Sequence, residues 1–229
     1  MQNEQTGLRI TAILENGYAG YNPYIPLDGA LMYWALRDKV GGTLSHRMEG
    51  ELMYPDLPLA QYENGGFWCW KISFGMYDKL GENVEYWRKR FRMQHMQYLE
   101  DPGKQIHTNS GRYKDYNMPI VHTLTPEIRW EAVGIREHLE PLCKKITYLG
   151  KKSAQGYGHV LRWEVDAIDT PRWWYRAFPV ELGDDIPGDE VEFEGQHAVR
   201  PPYWHPETQA HSIIPSLNTM EQHPPSEEA

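Results

Sequence analysis

A chain of 229 residues with 40% hydrophobic and 13% aromatic residues, nine Trp and fifteen Tyr among them, is long enough for one sizeable core and too apolar to stay disordered. No apolar run reaches transmembrane length, "MQNEQTGLRI" lacks the basic start and apolar core of a signal peptide, and the lone Cys69 and Cys143 form neither a disulfide framework nor a zinc knuckle; a soluble cytoplasmic protein is expected. The net charge of −9 argues against a nucleic-acid partner only if spread evenly, and from Glu181 onward 11 acids face Arg200 alone, leaving +1 on residues 1–180. Within that body Tyr86–Lys114 holds Arg88, Lys89, Arg90, Arg92, Lys104, Arg112 and Lys114 against Glu100 and Asp101, and Lys144–Trp163 holds five bases and no acid. Two basic islands on a neutral body fit a local phosphate-binding surface.

Gly7–Tyr18 places Leu8, Ile10, Ala12 and Leu14 at every second position, the pattern of a half-buried strand. Asp28 is then the expected N-cap of a buried helix, with Ala30–Leu36 apolar all round and Gly41–Gly42 as its stop. Gly50–Tyr54 fits a brief strand, and Gly66–Tyr77, rich in aromatic and β-branched residues, a full one. Glu85–Leu99 mixes bases and aromatics without an apolar stripe and fits either a helix or a twisted hairpin arm. With the turn residues of Gly103–Leu124 it reads as a basic arm standing out from the core.

Glu127–Gly134 is a strand, and Ile135, Leu139, Leu142, Cys143, Ile146 and Leu149 then recur at helical spacing, with Pro141 in the first turn and Gly150 as the left-handed cap. His159–Ile168 is the next strand. The order strand, helix, strand, strand with an excursion, helix, strand predicts an α+β fold: a ferredoxin-like (RNA-recognition-motif type) βαββαβ core over residues 1–170 with a hairpin inserted at about 86–125. Residues 171–229 read as a Pro- and Trp-rich acidic C-terminal extension ending in a disordered "EQHPPSEEA", with Trp173, Trp174 and Trp204 expected in the core.

Between the second helix and the last core strand lies "LGKKSAQGYGHV", Leu149–Val160. As a plain helix cap, Gly150 would end the helix and Lys144, Lys145, Lys151 and Lys152 would complement its dipole. The stretch is longer than a cap requires. Ser153 and Gln155 offer hydrogen bonds and Tyr157 a ring for a base. Gly156 and Gly158 let backbone N–H groups approach a phosphodiester, while Lys151, Lys152 and the bordering His159 add charge or polarity. Despite "GKKS" this is no P-loop, which follows a strand and opens a helix, so neither ATP nor another cofactor is expected.

"LGKKSAQGYGHV" at that position resembles the glycine-rich loop of the repeat-associated (RAMP) proteins of CRISPR systems, and "IPLDGALMYWAL" resembles the "LDGLL"-type helix start of the same superfamily. "VRPPYW" (Val199–Trp204) and "GRYKDYNMP" look more particularly like the 5′-handle-binding subunit of type IV effector complexes. The resemblance spans roughly Leu8–Trp204. It implies a subunit that caps the 5′ handle of the guide RNA with a ferredoxin-like core and a β-hairpin thumb, next to the backbone subunits that coat the spacer. On this sequence Lys151–His159 would lie against the handle. Arg88, Lys89, Arg90, Arg92, Arg112 and Lys114 would contact phosphates from the thumb, and Tyr113 and Tyr116 would wedge the handle–spacer junction. Target nucleic acid and a helicase would be met through the complex, and no membrane.

Some members of the superfamily cut repeat RNA, which requires a base for the 2′-hydroxyl and an acid or cation for the leaving group. His46 and His159 are the candidates by position, and Tyr157, Lys152 and His159 could form a set. No histidine spacing singles one out, and no metal motif is present in the sequence. The expectation is a non-catalytic RNA-binding subunit, with a metal-independent endoribonuclease and a protein-only scaffold as alternatives.

Overall fold

The computed structural model describes residues 4–20, 22–41, 52–98, 107–186 and 190–216. In chain order the main elements are β1 (Thr6–Leu14), α1 (Asp28–Val40), β2 (Gln61–Asn64), β3 (Phe67–Trp70), β4 (Gly81–Lys89), β5 (Tyr116–Leu124), β6 (Glu127–Gly134), α2 (Arg136–Cys143), β7 (Val160–Ala167), β8 (Phe178–Pro179), β9 (Val191–Ala198) and β10 (Gln209–Pro215). His46, Lys104 and the C-terminal "EQHPPSEEA" lie outside the described residues.

The alternation of β1 places Leu8, Ile10, Ala12 and Leu14 in one core while Arg9 faces outward. β1 lies between β6 and β7, antiparallel to both, with Ile10 opposite Trp130 on one side and Val165 on the other. Beyond β6 the sheet continues as an irregular edge, Ile72 opposite Ala132 and Met76 opposite Arg129, so the order across it is β7–β1–β6–residues 71–76. The single strand expected over Gly66–Tyr77 is therefore split. Its first half pairs with β2 as β3; its second half bonds to β6 on one side and to loops on the other, Phe74 N–H to the Tyr175 carbonyl at 2.6 Å and Gly75 N–H to the Ile25 carbonyl at 2.8 Å. Loop carbonyls satisfy these groups without the regular spacing of a strand partner. The described part of Gly50–Tyr54 forms no strand.

Both helices pack on one face of this sheet: Leu31 and Leu36 of α1 and Leu139, Leu142 and Cys143 of α2 share a cluster with Ile10, Trp130 and Val165. Two boundaries differ from expectation. Leu27 occupies the N-cap of α1, and Asp28 is its first residue, 1% exposed and turned inward. α2 starts at Arg136 and ends at Cys143, so Pro141 falls in the second turn, and Ile146 and Leu149 are buried from non-helical backbone.

The Pro- and Trp-rich end folds as a second sheet, β8–β10–β9, rather than trailing from the core. Phe74, Met76, Tyr175, Val199 and Ile214 form the apolar joint. A polar joint lies beside it. Arg176 donates to the carbonyls of Trp70 at 2.6 Å, Ile72 at 3.1 Å and Val199 at 2.8 Å and faces Asp28 Oδ2 at 3.5 Å. The Tyr203 hydroxyl donates to Asp28 at 2.7 Å. With Tyr203 turned inward, its neighbour Trp204 points out and is 68% exposed, against the expectation of a core position. No helix among the described residues is long and apolar enough to cross a membrane.

Candidate nucleic-acid interface

The glycine-lysine stretch leaves an extended arm, not a helix. Thr147–Leu149 runs antiparallel to Gly158–Val160, with Leu149 N–H donating to the Gly158 carbonyl at 2.8 Å and Val160 N–H to the Thr147 carbonyl at 2.9 Å. The residues between form a hairpin tip. Gly150 (φ +75°) therefore caps no helix; a β-carbon there would overlap the Tyr18 ring and the Ala19 carbonyl, and one at Gly158 (φ +70°) would overlap the Leu149 carbonyl. These two glycines serve close packing. Gly158 N–H donates to the Gly17 carbonyl at 2.9 Å and Lys151 N–H to that of Ala19 at 2.8 Å, so neither N–H is available to a phosphodiester. What the tip presents is side chains: Lys151, Ser153 and Gln155 are exposed, and Lys152 is half-buried with a left-handed backbone at φ +66°. Gly156 closes the turn by donating to the Ser153 carbonyl at 2.9 Å.

The second basic island is a hairpin. β4 and β5 pair from Gly81 opposite Leu124 to Lys89 opposite Tyr116, so the arm begins before residue 86, and Glu85–Lys89 is strand while Met93–Tyr98 is a 3₁₀ helix. Alternation puts Glu85, Trp87 and Lys89 on one face with Ile120, Met118 and Tyr116, and Tyr86 and Arg88 on the other. Trp87 and Tyr116 have ring centroids 6.3 Å apart, with Lys89 Nζ 6.0 Å and Lys114 Nζ 5.6 Å from the Tyr116 ring. Tyr113 packs against Phe91 at 5.1 Å, which leaves it half-buried. Arg88 is held by Asn117 at 3.0 Å, while Arg90, Arg92 and Arg112 are exposed without an ion pair among the described residues.

The two islands meet at Tyr157. Its ring, expected to stand open for a base, is 5% exposed and packs against His122 with centroids 4.5 Å apart and against Ile120 and Ala19. Burial, together with a hydrogen bond to Glu85 and its charge, pushes the phenol up to about 12, so it is a donor at neutral pH. A cleft of about 610 Å³ opens beside this contact, between the loop (Gln155, Tyr157) and the hairpin root (Leu80, Glu85, His122, Leu124), with Leu14–Gly17 as its floor. His159 stands nearby but engaged, its Nδ1 2.7 Å from Glu15 and its ring 5.0 Å from that of Tyr148.

Residues 74–215 match the family described as CRISPR type IV associated protein Csf3. The chain belongs to the Csf3 family. The matched span includes the basic hairpin, the glycine-lysine tip and the second sheet, so all three are within what the Csf3 family shares with this chain. A curated protein of Persephonella marina, named as one of the subunits of an aspartyl/glutamyl-tRNA(Asn/Gln) amidotransferase, is 30% identical over 155 residues, covering 64% of this chain; the chain spans only 29% of that protein's length.

In this Csf3-family chain the structure joins at one place what the sequence held apart. Lys151 and Lys152 leave the loop beside the cleft, and Arg88 and Lys89 follow Glu85 along β4. Arg112, Tyr113, Lys114 and Tyr116 gather at the far end of the hairpin. Three residues with a place in this geometry were not foreseen: Glu85, His122 and Trp87. Trp87 and Glu85 sat in an aromatic and basic run that lacked a periodic signal, and nothing local in the sequence ties His122 to Tyr157.

Proposed function

We propose that this Csf3-family chain binds the 5′ handle of a guide RNA without cutting it, at one end of the backbone filament of a type IV effector ribonucleoprotein. The observation that carries the reading is the seating of the glycine-lysine tip on the root of the basic hairpin through Tyr157, which brings the two basic segments together in the fold. Lys151, Lys152, Arg88, Lys89, Arg90, Arg92, Arg112 and Lys114 supply phosphate attraction, Ser153 and Gln155 hydrogen bonds, and Tyr116 with Trp87 exposed rings for unstacked bases. The sheet order interleaves two strand–helix–strand units, β1–α1–residues 71–76 and β6–α2–β7, which supports the ferredoxin-like RAMP reading of the core with the β4–β5 hairpin as thumb.

Retention of a guide by a non-catalytic subunit needs no turnover. The test is to purify the chain, co-expressed with its neighbouring genes and a repeat–spacer array, and to sequence the RNA that accompanies it. RNA with one defined repeat-derived 5′ end, lost or ragged with Lys151→Glu and Lys152→Glu together, is the expected result. Absent or heterogeneous RNA in both preparations refutes the reading.

A further inference from the structure

Phosphate binding does not account for the cleft itself. No lysine or arginine lines it, and its lining includes two carboxylates, Glu15 and Glu85. A phosphate placed there would meet like charge with no cation opposite. A nucleobase meets different surroundings. Leu14, Leu80, Leu124 and Pro126 offer apolar walls to its faces, and about 610 Å³ is ample for one base with its sugar. His122, also in the lining, is 5% exposed, and its Nδ1 has no hydrogen-bond partner among the described residues. A buried polar atom in that state calls for a partner, which the edge of a base entering the cleft can supply.

We infer that this cleft receives one unstacked nucleobase of the bound strand and selects a base carrying an exocyclic amine (adenine, cytosine or guanine) over uracil; the inference rests on the reading of the chain as an RNA-binding protein. Glu15 and Glu85 each have a partner already, His159 at 2.7 Å and the Tyr157 hydroxyl, but a carboxylate offers about four acceptor sites and can take an amine N–H as well. Uracil offers a single donor, N3–H, flanked by two carbonyl oxygens, so it can satisfy only one of the two carboxylates and turns an acceptor toward the other. The sugar–phosphate chain stays outside, toward Lys151 and Lys152 on one side and, on the other, toward Lys89, which shares the Glu85 face of β4.

The test titrates the full-length chain into labelled single-stranded RNAs of one length, oligouridine except for a single cytidine, adenosine or guanosine moved along the strand. In one register the amine-bearing base binds about tenfold more tightly than uridine, a step of the size seen for one well-placed base contact. Glu85→Gln and Glu15→Gln each abolish that preference without abolishing binding, because a carboxamide donates as well as accepts. Glu15 is half exposed, so its variant reports even if Glu85→Gln disturbs folding. Lys151→Glu with Lys152→Glu weakens all the RNAs alike. Equal binding of every sequence by the wild type, or a preference that survives both carboxamide variants, overturns the inference and leaves RNA binding standing. Failure to bind any of the RNAs overturns both.

Discussion

Replacing Arg176 by Met keeps most of the aliphatic volume and removes a charge that is 1% exposed. The carbonyls of Ile72 and Val199 lose the Arg176 donor, and that of Trp70 keeps only the Ile72 N–H at 2.9 Å. Asp28, also 1% exposed, keeps only the Tyr203 hydroxyl at 2.7 Å and the Gly29 N–H at 2.9 Å. Removing one side of a buried ion pair costs about 3–5 kcal/mol, and each orphaned carbonyl about 1–3 kcal/mol. These losses overlap, since one side chain causes them all, and a total of about 4 kcal/mol is expected. Against a whole-protein stability of roughly 5–15 kcal/mol, with about 2–4 °C per kcal/mol for a chain of this size, the thermal midpoint should fall by roughly 10 °C. Scanning calorimetry of wild type, Arg176→Met and Arg176→Met with Asp28→Asn measures it. The double variant should recover part of the loss, because a neutral carboxamide leaves no unpaired charge. A midpoint for Arg176→Met within about 2 °C of wild type, or a double variant less stable than the single one by the full cost of Asp28→Asn, would refute the reasoning.

The hairpin tip supports a contrast between two left-handed positions. Gly158→Ala has no room beside the Leu149 carbonyl and should cost about 2 kcal/mol or more in chemical denaturation, whereas Lys152→Gly releases a strained φ of +66° and should leave stability within about 1 kcal/mol of wild type while weakening RNA binding. Acid dependence tests Glu131. Burial alone would raise its carboxyl, but hydrogen bonds from Arg172 and the charges of Arg172 and Arg9 hold it below the ordinary 4.5. A depressed carboxyl stabilises the fold above that pH and loses its contribution as pH falls below it, so Arg172→Met should lower stability near neutrality and reduce the further loss between about pH 5 and pH 3, read from denaturation midpoints across that window.

The core strands β1, β6 and β7 were legible, whereas β9, which alternates half-buried Phe193, Gly195 and His197 with exposed Glu192, Glu194 and Gln196, was not foreseen. β1 alternates because its other face carries Arg9, and β6 and β7 followed from the same logic. The end of α2 was not, because Ile146 and Leu149 stand three apart, a spacing that a helix and an inward-turning loop both satisfy. What decides between them is Trp163, whose Nε1 donates to the Ile146 carbonyl at 2.9 Å and draws the backbone toward β7. Asp28 looked like a cap because caps are local, and its real partners, Arg176 and Tyr203, lie far along the chain. The basic islands were visible as composition. Their junction depends on Tyr157 meeting His122 and Glu85, which only the tertiary structure supplies.

The placement of Asp28 has a consequence for how the chain is made. Synthesis runs from the N-terminus, and Asp28 emerges long before the two side chains that accommodate it. Until Arg176 and then Tyr203 have left the ribosome, closing the core would bury a carboxylate without its cation and its hydroxyl donor. A nascent chain cut short before the second sheet lacks both partners of Asp28 and cannot close its core at low cost. Only a chain that carries its last sheet can hold its first helix in place by these bonds.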